Sequence, residues 1–274
     1  MKRQSLTITD CSRNIPAGNG IIERAWRLRS REGNVDHVLL PTSRADLIMN
    51  FGDRLSYDGE YAPDLHIAGL KERPVRLNHR GVCDLVGITF SPYALPAVMH
   101  APAKEFSGRT VSCDDISVSR AFKYAVCRSV SDSADAMNSE MIEDICRALI
   151  THADINRLPD RKFMRMIDDL RREDIPPTVD DLCARSGYAK RTLERLFSTY
   201  IGNTPKEYLR KGRLNRVIGL MKKGNASGDG RTFTAIAHDA DFCDQSHMIR
   251  EFRKFTGITP SGYRAEDFVK GFIS

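Results

Sequence analysis

Several features that would indicate a membrane, secreted or metal-binding protein are missing from this sequence. None of its 274 residues belongs to an apolar run of 18, which argues against a membrane span. The charged start, MKRQSLTITDCSRN, is followed by no apolar stretch, so no secretory signal is expected. The seven cysteines are odd in number and scattered, with no CxxC pair, which favours free thiols in a reducing cytoplasm over a disulfide or zinc framework.

The sequence also lacks the motifs that mark common classes of enzyme. It contains no GxSxG, no HExxH and no glycine-rich phosphate loop, so no enzymatic activity and no cofactor are predicted. Three histidines, His37, His66 and His79, fall in a strand-like region with Cys83 nearby. They form no HxH pair, and residues scattered in this way are far more often structural or exposed than metal ligands. No metal site is predicted.

Positive charge is concentrated in the second half of the chain. The formal net charge is +6, but residues 1–155 hold 19 Lys and Arg against 20 Asp and Glu, whereas residues 156–274 hold 23 against 16. A near-neutral region followed by a basic one is typical of a protein whose C-terminal part binds a polyanion. On charge alone, a well-solvated basic domain is an equally good interpretation.

The first half of the chain has the pattern of short β-strands. Apolar or alternating runs such as HVLLP, ADLIMNF, DLHIAGL and DLVGITF are separated by turn residues such as YDGEYAP and KERP. This rhythm predicts a small β-sandwich or barrel, with flanking helices after Phe90, in a domain that covers residues 1–155. Arg44, Asp46 and Asn50 are compatible both with a small-molecule pocket and with turn caps, so the effector site stays unassigned.

An apolar stripe marks the last predicted helix of the first half. In residues 134–152, Met137, Met141, Ile145 and Leu149 recur every four residues and share one helix face. Such a stripe either packs on its own domain or is shared with a second copy of the chain. The second alternative predicts a homodimer.

The second half of the chain, residues 156–274, is predicted to be helical and contains an internal repeat. The segment YAKRTLERLFSTYIGNTPKEYLR (188–210) is echoed by FCDQSHMIREFRKFTGITPSGYR (242–264). At an offset of 55 residues, Arg195 corresponds to Arg250 and Phe197 to Phe252. From Leu182 to Tyr188 the offset is 54, so Tyr188 corresponds to Phe242. The repeat predicts two helix-turn-helix units joined by one helix, which we call the first unit (residues 182–208) and the second unit (residues 236–263).

Local signals predict where these helices begin and end. Thr178 with Asp181 three residues later forms an N-terminal capping pattern, and Gly187 breaks the chain between two short helices. A longer helix is predicted from Pro205 to about Met221, because proline is favoured at the first helical position. The following KKGNASGDG predicts a flexible loop.

One helix in each unit has an apolar face opposite a cationic face. At 100° per residue, Leu193, Leu196 and Phe197 point to the core of the first unit, as Met248 and Phe252 do in the second. Arg is suited to guanine edges, Gln to adenine and an exposed Ile to the thymine methyl group. A solvated surface helix is the alternative for one copy, but two copies in a basic region favour DNA recognition. The residues predicted to face DNA are Lys190, Arg191, Glu194, Arg195, Gln245, Ser246, Ile249, Arg250 and Arg253.

From about residue 156 to 266, this sequence resembles the AraC/XylS family of bacterial transcription regulators, with the family's signature in AHDADFCDQSHMIREFRKFTGITPSGYR. The resemblance implies that two recognition helices enter successive major grooves on one face of the DNA. It assigns base-facing roles to Arg191, Glu194 and Arg195, and to Gln245, Ser246, Ile249 and Arg250. The chain departs from the family in having Asp241 where glycine is usual, and in a longer loop at 222–231.

The first half resembles the cupin-like effector domains of the same family, in LPTSRADLIMNFG and VGITFSPYALPAVMHAPAKEFSGRTVSCDDI. The function predicted is that of a cytoplasmic, nucleoid-associated transcription regulator that binds double-stranded promoter DNA. A small-molecule effector, RNA polymerase and a second copy of the chain are further partners compatible with this prediction, and a membrane is not. The alternative is a cupin-type enzyme with a basic domain that tethers it to nucleic acid.

Overall fold

The N-terminal half of the protein forms two packed antiparallel sheets. The computed structural model describes residues 7–16, 20–30, 35–114, 139–173, 175–227 and 231–263. The six-stranded sheet has the order β1-β2-β9-β4-β7-β10 and the four-stranded sheet the order β3-β8-β5-β6. This arrangement confirms the predicted β-sandwich or barrel. The strands are β1 (Thr7–Asp10), β2 (Ile22–Ser30), β3 (Val35–Leu39), β4 (Asp46–Asn50), β5 (Leu55–Tyr57), β6 (Glu60–Tyr61), β7 (Leu65–Ala68), β8 (Val75–His79), β9 (Cys83–Phe90) and β10 (Thr110–Ser112).

Two apolar cores lie on opposite faces of the six-stranded sheet. Alternation along β4 shows the division, since Ile48 faces the four-stranded sheet while Leu47 and Met49 face the other side. Trp26 shares the core between the sheets and packs against Gly87, where a Cβ atom would lie 2.0 Å from the indole ring. Only glycine at this position leaves room for the indole.

Helices cover the outer face of the six-stranded sheet. These are α1 (Leu95–Met99) and α2 (Ser139–His152). The stripe residues Met141, Ile145 and Leu149 are at most 4% exposed and belong to the core beneath these helices. Sharing of this stripe with a second copy is therefore a wrong prediction, because the side chains are already covered by their own domain. Met137 lies outside the described residues, and the homodimer itself stays a prediction.

The C-terminal half is helical and contains the two predicted helix-turn-helix units joined by one helix. The helix α6 continues to Ser227, so the predicted end near Met221 is wrong. Residues 222–227 contain no proline, and a single glycine costs a helix only about 1 kcal/mol. The helices are α3 (Arg161–Arg172), α4 (Val179–Ser186), α5 (Lys190–Leu196), which runs on into one π-helical turn (Phe197–Ile201), α6 (Pro205–Ser227), α7 (Phe233–Asp239) and α8 (Gln245–Thr256).

The N-terminal domain (residues 7–152 as described) contributes one buried side chain to the core of each unit. Tyr93, which is 7% exposed, joins Phe163 and Phe197 in the core of the first unit. Leu40, which is 3% exposed, joins Met248 and the rest of the core of the second unit. Both units are therefore packed on the N-terminal domain, while the predicted boundary between residues 155 and 156 stays a prediction. Within the described ranges, no helix is both long and apolar enough to cross a membrane.

Candidate nucleic-acid interface

The first recognition helix, α5, follows a turn whose geometry is set by local signals. Thr178 and Asp181 form the predicted capping box at the start of α4, with Asp181 N donating to Thr178 Oγ1 at 3.1 Å. Gly187 ends α4 in the left-handed conformation at φ +66°, which is inexpensive only for glycine. The helix α5 then begins at Lys190 after Ala189, which provides no side-chain cap.

The same turn is attached to helix α3 by Tyr188. Its hydroxyl donates to both carboxylate oxygens of Asp160, at 2.7 and 2.9 Å, and Asp160 also caps α3 by accepting from Phe163 N at 2.9 Å. The ammonium of Lys162 lies 4.2 Å from the centre of the Tyr188 ring. Burial and the hydrogen bond to Asp160 raise the pKa of Tyr188 to about 12, so the phenol keeps its proton at neutral pH.

The second recognition helix, α8, has a true N-terminal cap. Asp244 accepts from His247 N at 2.7 Å. The turn before it contains Asp241 at φ +59°, so the position where the family usually has glycine does adopt the left-handed conformation. Asp tolerates this region better than most residues because its short polar side chain can bond locally.

The structure places the predicted recognition residues on two outward faces. In the first unit, Leu193 and Leu196 are buried, so the opposite face of α5 is left in solvent. In the second unit, Met248 and Phe252 are buried in the same way. The exposed predicted residues are Lys190, Arg191, Glu194, Arg195, Ser246, Arg250 and Arg253.

Two predicted contacts of the second unit are half-buried. Gln245 accepts a hydrogen bond from Thr234 Oγ1 at 2.8 Å through its Oε1 atom. Because this oxygen already accepts a hydrogen bond, that bond would have to break before Gln245 could pair with adenine through both of its amide atoms. Ile249 packs against the core of the second unit instead of pointing fully outward, because its position on α8 lies at the edge of the apolar face.

The cations on the two outward faces are unpaired, unlike other arginines of the C-terminal half. Arg210 forms two hydrogen bonds of 2.5 and 2.6 Å with Glu251, and Arg185 Nη1 lies 2.9 Å from Glu173. Across the part of the chain that the structure describes, neither an ion pair nor a side-chain hydrogen bond is made by the outward cations. Their charge is available to an outside anion. These cations are Lys190, Arg191, Arg195, Arg250 and Arg253.

Two positioning contacts could not be read from the sequence. Tyr188 and Asp160 are 28 residues apart, and Arg210 and Glu251 are 41 residues apart. The second contact joins α6 directly to α8, and the Arg210 guanidinium also lies 5.4 Å from the centre of the Phe255 ring. No local pattern in the sequence links either pair, because each contact joins separate elements of the fold.

No metal site is formed by the described ranges. Within them, no three His, Cys, Asp or Glu side chains are grouped closely enough to hold an ion. His66 is buried, with Nδ1 2.6 Å from Pro63 O and Nε2 3.1 Å from Tyr57 Oη. Burial lowers its pKa to about 4, so its ring is neutral at physiological pH.

Comparisons with known proteins match the two halves separately. A helix-turn-helix domain family covers residues 182–266, and a domain of unknown function (DUF6597) covers residues 19–112. The regulatory protein SoxS of Salmonella typhimurium is 34% identical over 91 residues, which are 33% of this chain and 80% of SoxS.

Two longer relatives are matched over about a third of this chain. The HTH-type transcriptional regulator YkgA of Escherichia coli is 31% identical over 93 residues, or 34% of this chain, and an AraC-like transcription regulator of Streptomyces lividans is 30% identical over 87 residues, or 32% of this chain. The matches span 37% and 27% of the length of these two proteins.

Solved structures of ToxT from Vibrio cholerae, one of them with an unsaturated fatty acid bound, align at 12% identity with TM-scores of 0.45 and 0.46. The alignments cover 87% and 99% of this chain and 96% and 99% of ToxT. Since SoxS is 34% identical and is matched over 80% of its length, the chain belongs to the AraC family of transcription regulators.

Proposed function

We propose that this protein is a sequence-specific regulator that binds bacterial promoter DNA through both helix-turn-helix units. One observation carries the proposal: two recognition helices with buried apolar faces present five unpaired cations outward. The described acidic residues pair with other arginines of the C-terminal half, such as Arg185 and Arg210, and with none of these five cations. An outward set of unpaired cations on paired helices is suited to the major groove and its flanking phosphates.

The proposed contacts divide into those that read bases and those that position the protein. Arg195 and Arg250 occupy equivalent exposed positions, one in each unit, and we assign each to a base edge. Lys190 is the first residue of α5, nearer the DNA backbone in a groove-bound helix, and we assign it to phosphate. We assign both units to one site, because two sets of base contacts distinguish a site from random DNA better than one set does.

The N-terminal domain is proposed to sense an effector, and a polar network between its two sheets supports this role. Trp26 Nε1 donates to Thr89 Oγ1 at 3.2 Å, and Thr89 Oγ1 donates to Asp46. The Lys71 ammonium is buried without a hydrogen-bond partner in the described part of the chain. Buried polar groups of this kind cost stability, and retaining them is consistent with a ligand-responsive interior.

In this proposal the protein acts in the cytoplasm, on the nucleoid, and is not an enzyme. RNA polymerase and a second copy of the chain are compatible partners at a promoter. Neither is required for the DNA contacts described above.

The experiment uses the full-length protein and a duplex that it selects from a random-sequence library. Affinity is measured by fluorescence anisotropy between about 50 and about 200 mM salt, and the proposal expects a steep loss, with a slope of roughly −0.9 per neutralised phosphate. Lys190→Ala should reduce the slope by about 1. Arg54→Ala, which removes an exposed cation of the N-terminal domain, should leave it unchanged. Failure to enrich any sequence, or a salt-independent complex, would overturn the proposed function.

A further inference from the structure

A buried leucine of the N-terminal domain completes the core of the second unit. Leu40 follows β3 directly and is 3% exposed among side chains of α6, α7 and α8, including Val217, Met248 and Phe252. Val38 packs at the edge of the same core. Leu39, the residue between them, is also 3% exposed but faces the interior between the two sheets. Adjacent leucines thus serve two different cores.

The chain that continues from Leu40 then contacts the helix joining the two units. Lys211 of α6 donates through Nζ to Thr42 O and to Lys71 O, at 3.1 Å each, and to Asn203 Oδ1 at 3.0 Å. These three bonds use all three donors of an ammonium group. Ser43 Oγ donates to the same Asn203 oxygen at 2.9 Å, which brings the end of the first recognition helix into the network.

Arg44, two residues after Thr42, is linked to helix α3 through a carboxylate that both contact. Arg44 Nη2 lies 3.2 Å from Glu23 Oε1, and Arg171 Nη2 of α3 lies 2.6 Å from the same oxygen. Two residues later, Asp46 begins β4 and accepts the Thr89 bond in the interior polar network. Residues 38–44, which we call the coupling segment, therefore join the interior of the N-terminal domain to both helix-turn-helix units.

We propose that the coupling segment positions the second recognition helix relative to the first, with Leu40 as its positioning residue. This inference rests on the proposed function and deepens it by naming the route of its regulation. A single helix between two units can bend, whereas a side chain locked in the core of one unit and a backbone bonded to the joining helix restrict that bending. Rearrangement of the polar interior near Asp46 would then move the second unit, since packed cores switch between discrete arrangements.

The test compares base preference in full-length variants at the two grooves. Wild-type protein, Leu40→Ala and Leu39→Ala each select duplexes from the same random-sequence library, and the enriched sequences are aligned. The two substitutions remove the same atoms from equally buried positions, so they are matched in size but differ in the core they damage. Leu40→Met, which keeps the volume, serves as the rescue variant.

The expected result is a loss of base preference in one major groove only. Leu40→Ala should keep the base preference of the first unit and lose that of the second, with affinity for the wild-type site reduced about three- to thirtyfold. Leu39→Ala should keep the base preferences of both units in the same ratio as in the wild type. Leu40→Met should restore the base preference of the second unit. Retention of both preferences by Leu40→Ala, or equal loss at both grooves, would overturn the inference.

Two outcomes distinguish a failure of this inference from a failure of the proposed function. If the wild-type protein enriches no sequence, the proposed function fails and the coupling segment with it. If the wild type enriches a site over two grooves and Leu40→Ala is indistinguishable from Leu39→Ala, only the coupling role fails. Should Leu40→Ala not fold, Leu40→Val makes the same comparison with a smaller cavity, and near-ultraviolet circular dichroism verifies the fold of each variant.

Discussion

The two helix-turn-helix units have the same sequence signature but are held in different ways. In the first, the turn is attached by the Tyr188–Asp160 hydrogen bonds, and the recognition helix starts without a side-chain cap. In the second, Asp244 caps the recognition helix, and Phe242 replaces the tyrosine and contacts the His247 ring instead. The signature therefore specifies the helix pair, while its orientation comes from contacts that each unit makes separately.

The two recognition helices also differ in what surrounds their C-terminal ends. Gly202 and Gly257 are equivalent positions, and both adopt left-handed conformations at φ +74° and +79°. Gly202 lies against the N-terminal domain, and its carbonyl oxygen accepts a bond of 2.9 Å from Ser107 Oγ. A Cβ atom at Gly257 would lie 3.9 Å from Pro74 Cγ, an ordinary van der Waals distance. The N-terminal domain thus bonds the backbone at the end of the first recognition helix, whereas it reaches the core of the second unit through the side chain of Leu40.

The largest expected difference between the units comes from replacing these two glycines by alanine. At Gly202 a Cβ would lie 2.7 Å from Leu70 Cδ1 and 3.0 Å from Ala103 O, whereas at Gly257 the nearest atom is Pro74 Cγ at 3.9 Å. Both changes cost about 1–2 kcal/mol for the left-handed backbone. Gly202→Ala should cost a further 1–3 kcal/mol or so for crowding. Urea unfolding of the two variants measures this, and equal midpoints would show that the contact at Gly202 is not tight.

The next effect concerns the equivalent arginines on the outward faces. Arg195→Ala and Arg250→Ala should each reduce affinity for the selected site by about 1–3 kcal/mol and relax preference at one base position, in different grooves. Lys190→Ala should instead weaken selected and random duplexes alike, because phosphate contacts are the same in both. Titrations against single-base variants of the site distinguish these outcomes. Uniform loss in the arginine variants would place them on phosphates.

A smaller effect is expected when the turn of the first unit is made more like that of the second. Tyr188→Phe removes the hydroxyl that bonds Asp160 and should lower the free energy of unfolding by about 1 kcal/mol. Tyr61→Phe is the control, because Tyr61 is 70% exposed and its loss of a hydroxyl should change stability by less than about 0.5 kcal/mol. A Tyr188→Phe protein as stable as this control would mean that the turn is set by Gly187 alone.

The smallest effect distinguishes the units by their response to acid. The hydrogen bonds from Arg210 hold the pKa of Glu251 below its usual 4.5, so this pair stabilises the second unit while the carboxylate is ionised. The contribution is complete above about pH 4.5 and is lost as the pH falls through the lowered pKa. Wild-type protein should therefore lose its advantage over Glu251→Gln on acidification, by less than about 1 kcal/mol. Unfolding curves at several acidic pH values test this, and parallel losses in the two proteins would count against the ion pair.

Short-range features of this fold were predictable, and contacts between distant segments were not. The capping box depends on Thr178 and on Asp181 three residues later, and the left-handed turn depends on glycine at position 187. Both could therefore be predicted from the sequence. The Lys211 bond to Thr42 joins residues 169 positions apart, and no local pattern specifies such a pair. The apolar stripe of α2 shows the same limit, because periodicity identified its buried face but not what covers it.

The candidate site was predictable to the same extent. Periodicity correctly placed the arginines outside and the aromatic residues inside, since a helix fixes which residues share a face. It did not show that Gln245 is held by Thr234, or that Leu40 enters the second unit's core, because both depend on how separate elements dock. Residues at the edges of a helix face, such as Ile249, were the least predictable.

Both units are proposed to bind DNA at once, in successive major grooves. Hydroxyl-radical protection of the selected duplex by the full-length protein tests it most directly. We expect two protected patches on one face of the duplex, about one helical turn apart, with protection weakened at one patch in Arg195→Ala and at the other in Arg250→Ala. A single protected patch, or two patches that both keep full protection in these variants, would contradict binding by both units.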